Sequence, residues 1–163
     1  MADVTAIAPD GYTIREGTTD DIPMIVRHRL RMFEDMSVAV DTHAVSAAFA
    51  AWLHVHMRAG AYRAWLVEHD AGVVAGGGIT VPPWPPGPRE LSGRLPIVYN
   101  VYTEPAHRRR GLARTIMQTI HAWCLEAGYQ TVALAASDDG RSMYESLGYR
   151  ESPQPYMLVT LSH

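Results

Sequence analysis

The order of periodicities along this chain predicts an α/β fold, a mixed sheet with helices on both faces. Three observations carry it. Apolar, strand-like runs fill Ala61 to Glu68, Gly72 to Val81 and Leu95 to Tyr102. Apolar residues at three- and four-residue steps mark helices early in the chain and again after residue 111. The last third then alternates strand and helix.

Element by element, Gly11 to Arg15 reads as a short strand. Thr18 and Thr19, followed by Asp20, Asp21 and Pro23, supply caps, first-turn carboxylates and a first-turn proline. Ile22, Val26, Leu30 and Phe33 then form a helical stripe. A second helix spans Asp41 to about Arg58, with Val45, Phe49, Trp52, Leu53 and His56 on one face. The turn His69-Asp70-Ala71-Gly72 joins the next two strands as a hairpin. Pro82-Pro83-Trp84-Pro85-Pro86-Gly87-Pro88 lacks too many amide donors for helix or central strand, so it is a surface loop. After the strand ending at Tyr102, Leu112, Ile116, Ile120, Trp123 and Ala127 recur on one helical face. Thr131 to Ala135 is a strand, a helix follows Ser137, and Tyr156 to Leu161 is expected to close the chain as a last strand. No repeat, linker or boundary interrupts residues 1–163, and the length suits one domain.

Composition narrows the function classes. With 47% hydrophobic and 19% charged residues the chain has an ordinary globular balance. No apolar run approaches the roughly 20 residues that span a bilayer, so no membrane partner is expected. Met1 to Asp10 carries an early acidic residue and no basic start ahead of an apolar run, which reads against a secretory signal. The single cysteine, Cys124, excludes an internal disulfide and a cysteine-rich zinc site, and the cytoplasm is the default compartment. A formal net charge of −3 argues against nucleic acid. The eight histidines are scattered; His54 and His56 point to different sides of a helix, and no pair has metal-site spacing. No metal is expected.

The densest chemical signal is Arg108-Arg109-Arg110-Gly111-Leu112-Ala113, between an apolar strand and an amphipathic helix. A helix opening on a glycine turn offers backbone N–H groups without intrahelical partners, at the positive end of its dipole. That is a phosphate cradle. It is neither a Walker loop nor the three-glycine dinucleotide fingerprint. The pattern Arg-x-x-Gly-x-Ala resembles the Gln/Arg-x-x-Gly-x-Gly/Ala signature of the GNAT superfamily of acyl-CoA-dependent N-acyltransferases. It is embedded in Asn100-Val101-Tyr102-Thr103-Glu104-Pro105-Ala106-His107-Arg108-Arg109-Arg110-Gly111. Downstream, Tyr144-Glu145-Ser146-Leu147-Gly148-Tyr149 is similar to that family's Leu-Tyr-x-Lys-x-Gly-Phe ending. The resemblance is close over residues 95 to 150 and elsewhere rests on the order of elements. It implies a mostly antiparallel, twisted mixed sheet of six to seven strands, splayed between strands 4 and 5.

The resemblance also implies roles. Acetyl-CoA is the co-substrate, and an amine of a small molecule, peptide or protein is the acceptor; the resemblance is compatible with a homodimer. The backbone of Val101, Tyr102 and Thr103 would pair with pantetheine. Arg108, Arg109, Arg110, Gly111, Leu112, Ala113 and Arg114 would hold the pyrophosphate, with Gly111 admitting close approach. Ser137 stands where many members contact the cofactor with asparagine, or it caps the next helix. Tyr144 matches the family tyrosine that donates to the leaving thiolate, or it is a core aromatic beside Met143 and Leu147. Glu104 is the carboxylate next to the cofactor strand and a candidate general base, or an exposed turn residue. In the first helix Arg31, Asp35 and Met36 fall near where family members form the acceptor site. Asp35 could meet an ammonium or be a surface carboxylate, and Trp84 in the proline loop could cover the acceptor or pack on a neighbour. Cys124 belongs to packing, which favours direct transfer in a ternary complex over an acyl-cysteine path. The alternative is an acyl-CoA-binding regulatory or interaction domain without turnover.

Overall fold

One five-stranded sheet, in the order β1-β2-β3-β4-β5, runs through the computed structural model, which describes residues 7–154 and 156–161. Strands β1 (Thr13–Glu16), β2 (Tyr62–His69), β3 (Gly72–Thr80) and β4 (Ile97–Thr103) pair antiparallel in succession. The two-residue strand β5 (Ala133–Leu134) joins β4 in parallel. Helices α1 (Ile22–Asp35) and α2 (Thr42–Arg58) precede β2; α3 (Leu112–Glu126) and α4 (Asp138–Ser146) flank β5 in sequence. Part of the Met1 to Asp10 segment, residues 1–6, lies outside the described residues.

Local chemistry sets the element ends. Thr18 and Asp21 form a reciprocal capping box around a short 3₁₀ turn that leads into α1, with Pro23 in the first turn. Asp41 caps α2 by accepting from the Ala44 amide at 3.0 Å. The β2–β3 hairpin turns on Asp70 and Ala71, both at positive φ (49° and 59°), as a two-residue turn matching strand twist requires.

The sheet is covered on both faces. Tyr62, Ala64 and Leu66 of β2 pack with Ile22, Ile25, Val26 and Leu53 of α1 and α2. Trp65 and Val67, pointing the other way, join Leu112, Ile116, Met117, Ile120 and Cys124 of α3. Burial on both sides explains why β2 reads as a nearly continuous apolar run.

Three consecutive glycines of β3 bring the two layers close. A Cβ at Gly76 would stand 2.8 Å from Leu66 Cδ2, and one at Gly77 2.8 Å from Ile116 Cγ2. A Cβ at Gly78 would fall inside the Tyr62 hydroxyl. The Tyr62 ring therefore lies across Gly78, where no side chain can compete for the space.

The fold agrees with the sequence-based expectation, but the sheet has five strands rather than six to seven. Residues 156–161, expected as the closing strand, carry no regular secondary structure, and Tyr156, Met157, Leu158, Val159 and Leu161 are exposed. Strand propensity needs a partner edge to be realised, and β5 offers only two residues. Among the described residues no helix is long and apolar enough to cross a membrane.

Because Gly78 supplies the volume that Tyr62 occupies, Gly78→Ala should destabilise the fold by about 2 kcal/mol, the usual scale of overpacking. Urea unfolding of the variant measures this; an unchanged midpoint would mean the ring has another place to go.

Candidate active site

The site starts from an irregularity in β4. Gly76 pairs with Tyr102 and Gly78 with Tyr99, so Asn100 and Val101 both stand opposite Gly77. This is a β-bulge, and Asn100 adopts φ 58°, a left-handed conformation that asparagine tolerates better than most residues. Its side chain is buried and bonded at both ends of the amide: Nδ2 donates to the Tyr62 hydroxyl at 2.9 Å, and Oδ1 accepts from Arg29 Nη1 at 2.6 Å. Burial pushes the Tyr62 phenol up to about 12, so it stays protonated. None of Arg29, Tyr62 or Asn100 was singled out by the sequence; the available signal was a lone amide in an apolar strand.

Beyond the bulge the sheet opens. β5 pairs only with Ile97 and Val98, so the rest of β4, including Val101, Tyr102 and Thr103, has no strand on that side. Glu90, from the proline-rich loop, fixes where β5 begins. Its Oε2 accepts from the Gln130 and Thr131 amides at 3.0 and 3.1 Å, and these hydrogen bonds hold its carboxyl below the usual range. Sequence reasoning missed this strap.

The opening leads to the start of α3. Gly111 is its N-cap, at φ 81°, and has no side chain to cap the helix. The first amide to find a backbone acceptor is that of Thr115, onto Gly111 O at 3.0 Å. Among the described residues the amides of Arg109 to Arg114 have no such partner. Arg109 itself sits at φ 62°, which turns the chain into the cradle. Exposed donors of this kind, beside an open strand edge, fit a pyrophosphate followed by an amide-bearing chain.

The arginine run does not act as one block. Arg108 turns back, donating from Nε to Thr103 O at 2.9 Å, pairing with Asp35 and lying 5.5 Å from the Tyr102 ring centroid. Asp35 is thereby already neutralised. Arg109 and Arg110 are exposed at the cradle, and Arg114 donates to Ser146 Oγ on α4. Leu112 is buried in the α3 core and Ala113 half-buried beside it. Ser137 caps α4, accepting from the Gly140 amide at 3.3 Å. Arg31 pairs with Glu34 on the exposed side of α1 at 2.9 Å. Trp84, 36% exposed, is anchored through its backbone to Gly93 O and stacks on no aromatic among the described residues.

Tyr144 is 9% exposed and packs in the α3 core cluster, with its ring edge-on to Tyr149 at 5.8 Å. Gly140, one turn earlier, leaves room for it: a Cβ there would stand 2.8 Å from Tyr144 Cε2. Gly148 ends the helix at φ 95°, and the Tyr149 amide closes on Tyr144 O. The tyrosine hydroxyl makes no hydrogen bond among the described residues, and burial pushes its phenol upward. Cys124 is buried, and its thiol is pushed up to about 12. No group of three or more His, Cys, Asp or Glu able to hold a metal occurs among the described residues.

The profile of the acetyltransferase (GNAT) family matches residues 24–149. The chain belongs to that family. Among solved structures it is similar to a GCN5-related N-acetyltransferase from Ralstonia eutropha JMP134, with 28% identity and a TM-score of 0.83 over 91% of this chain and 99% of that one. A predicted acetyltransferase from Clostridium acetobutylicum, solved with acetyl-CoA, shares 22% identity and a TM-score of 0.84 over 91% and 96% of the two chains. Glucosamine-6-phosphate N-acetyltransferase from Arabidopsis thaliana shares 14% identity and a TM-score of 0.66 over 91% and 97%. No curated protein matches the sequence.

In this GNAT protein Glu104, just past β4, is not a free turn carboxylate. Its Oε1 lies 3.2 Å from Arg27 and 3.5 Å from His28 Nε2, both on α1. His28 is 2% exposed, its ring is 5.0 Å from that of Tyr102, and its Nε2 has no hydrogen-bond partner. Burial drives its pKa down to about 4; Arg27 adds to that and Glu104 opposes it. The imidazole is therefore folded in as a neutral group.

Between pH 4 and 6.5 the unfolded chain binds a proton that the native chain does not, so stability falls as pH falls through that window. His28 should contribute a loss of about 2 kcal/mol between pH 7 and pH 5. Denaturant unfolding at the two pH values should show a shallower drop for His28→Gln than for the wild type. Equal drops would mean that His28 is protonated in the native state.

Proposed function

We propose that this acetyltransferase moves an acetyl group from acetyl-CoA to a primary amine, by direct attack within a ternary complex. The observation that carries the reading is the continuity of three features: the bulge at Asn100 and Val101, the unpaired edge of β4 after Val98, and the uncapped α3 amides beginning at Gly111. Bound along this path, acetyl-CoA supplies an activated acyl group and a thiolate leaving group.

The chain's own groups do the rest. Val101, Tyr102 and Thr103 offer backbone groups to the pantetheine amides, as an added strand would. A β4 amide released from regular pairing by the bulge donates, on this reading, to the thioester oxygen as it gains charge. The amides of Arg109 to Ala113, with the side chains of Arg109, Arg110 and Arg114, hold the diphosphate, while Arg108, through Thr103 and Asp35, fixes the turn that presents them. Attack forms an N–C bond and breaks the C–S bond. The ammonium proton leaves to Glu104, whose Oε1 is held by Arg27 while Oε2 has no partner among the described residues. Tyr144 donates a hydrogen bond to the departing sulfur. Because burial raises the phenol above its ordinary value, it stays protonated at neutral pH and stabilises a thiolate more readily than it hands over the proton. The raised thiol of Cys124 is inert, in keeping with direct transfer.

Release of free CoA thiol across a panel of amines tests the reading; cofactor binding with no release above background would make the chain a binding domain instead. Tyr144→Phe keeps the ring and should lower kcat by ~10²-fold with KM for acetyl-CoA within a few-fold. Full kcat in the Phe variant, at saturating substrates with chemistry rate-limiting, would make Tyr144 a packing residue.

A further inference from the structure

Helix α1 carries arginines at 27, 29 and 31. Arg27 meets Glu104 and Arg31 meets Glu34. Arg29 meets no carboxylate among the described residues, although it is the most enclosed of the three. Its one hydrogen bond goes to the neutral carbonyl of Asn100 at the bulge. The guanidinium lies 4.9 Å from the Phe33 ring centroid and 4.8 Å from that of Phe49, and desolvation lowers its pKa. A half-buried planar cation with five donors, partly desolvated and given one neutral acceptor, has most of its fork unspent. Cation–π contacts offset only part of such a desolvation. Tyr99, the neighbour of Asn100 on the unpaired part of β4, is 42% exposed, so this face remains open to a ligand.

We propose that the acceptor amine also carries a carboxylate, held by Arg29 beside the β4 bulge, with its apolar body against Phe33 and Phe49. The acceptor is then an amino acid with an apolar side chain. The inference rests on the acetyl-transfer reading for what happens to the amine, but not for the anion site itself. A carboxylate satisfies the guanidinium as a bidentate pair, which an uncharged amide cannot do equally well. The bulge places that pair next to the strand on which the thioester is expected. The ammonium of an α-amino acid, two bonds from its carboxylate carbon, would then be presented to the reacting carbon.

The test compares matched amines: L-phenylalanine, L-phenylalaninamide and 2-phenylethylamine, with L-leucine and L-leucinamide as a second pair. The wild type should show kcat/KM at least tenfold higher for each acid than for its amide. In Arg29→Gln the ratio should fall to within about twofold, and Arg29→Lys, which keeps charge without the planar fork, should fall between. Far-UV circular dichroism and urea unfolding check that each variant is folded, and acetyl-CoA affinity by calorimetry reads separately whether the bulge is kept; if Arg29→Gln fails either, the wild-type ratios and Arg29→Lys decide. Calorimetric titration of phenylalanine and leucine into CoA-loaded protein reads the anion site without turnover, and binding should weaken at least tenfold in Arg29→Gln. Equal or inverted acid-to-amide ratios in the wild type, an unchanged ratio in Arg29→Gln, or acids that neither bind nor react would overturn the proposal. Arg29-dependent binding with no thiol release for any amine would leave the carboxylate site standing and remove the acetyl-transfer reading.

Discussion

The bulge at Asn100 and Val101 is the constraint around which the rest of the site is arranged. Side chains alternate along a strand, so one extra residue reverses every assignment beyond it. Val98 and Val101, three positions apart, both face the α3 core, whereas Asn100 and Tyr102 face α1. Without the bulge Tyr102 would be driven into the α3 layer and His28 would lose its ring contact. The φ of 58° at Asn100 is held by two side-chain bonds rather than by the ladder. Arg29 and Tyr62 therefore act on the backbone of β4 through one amide.

The glycines of β3 are the other half of that arrangement. Glycine inside a strand weakens it by roughly 0.5–1 kcal/mol against alanine, and three in a row would be a liability if they only formed sheet. Here each lends its missing side chain to a different neighbour: Leu66 at Gly76, Ile116 at Gly77 and Tyr62 at Gly78. Larger side chains from both layers fill those places. The Tyr62 hydroxyl can reach Asn100 only because Gly78 lets the ring lie flat on the strand. The glycine run and the bulge are thus one device, and neither is sensible without the other.

What could be read from the sequence was local. Thr18 and Asp21 announced a helix start, Asp70 and Ala71 lay in the expected hairpin turn, and Gly111 marked the strand-to-helix turn. Each depends on a few neighbouring residues. The misplaced expectation, a strand over 156–161, had strand-like composition, but pairing is decided by the edge it must meet. The arginine run fared likewise. Three adjacent arginines look like one charged patch, yet Arg108 finds Asp35, 73 residues away, and leaves the other two at the cradle. Arg29 lies within a helix whose apolar stripe is legible in the sequence, and nothing in that stripe says which of three arginines lacks a carboxylate.

That last point follows from helix geometry. At 100° per residue, Arg29 projects about 200° away from Arg27, so the two cannot share Glu104. Arg31 returns to within about 40° of Arg27 and takes Glu34 on the same helix, at the solvent side. Arg29 is left over the strand, where the chain offers a carbonyl that accepts a hydrogen bond without neutralising charge. The two sides of the proposed site thus differ in kind. The cofactor path is built from backbone amides and a glycine, which tolerate many surrounding side chains and leave a short, recognisable pattern. The acceptor side is built from side chains of α1, α2, β2 and β4 that are far apart in sequence. On the proposal made for Arg29, its selectivity follows from which charge the fold leaves uncompensated, and that is a property of the assembled structure rather than of any stretch of sequence.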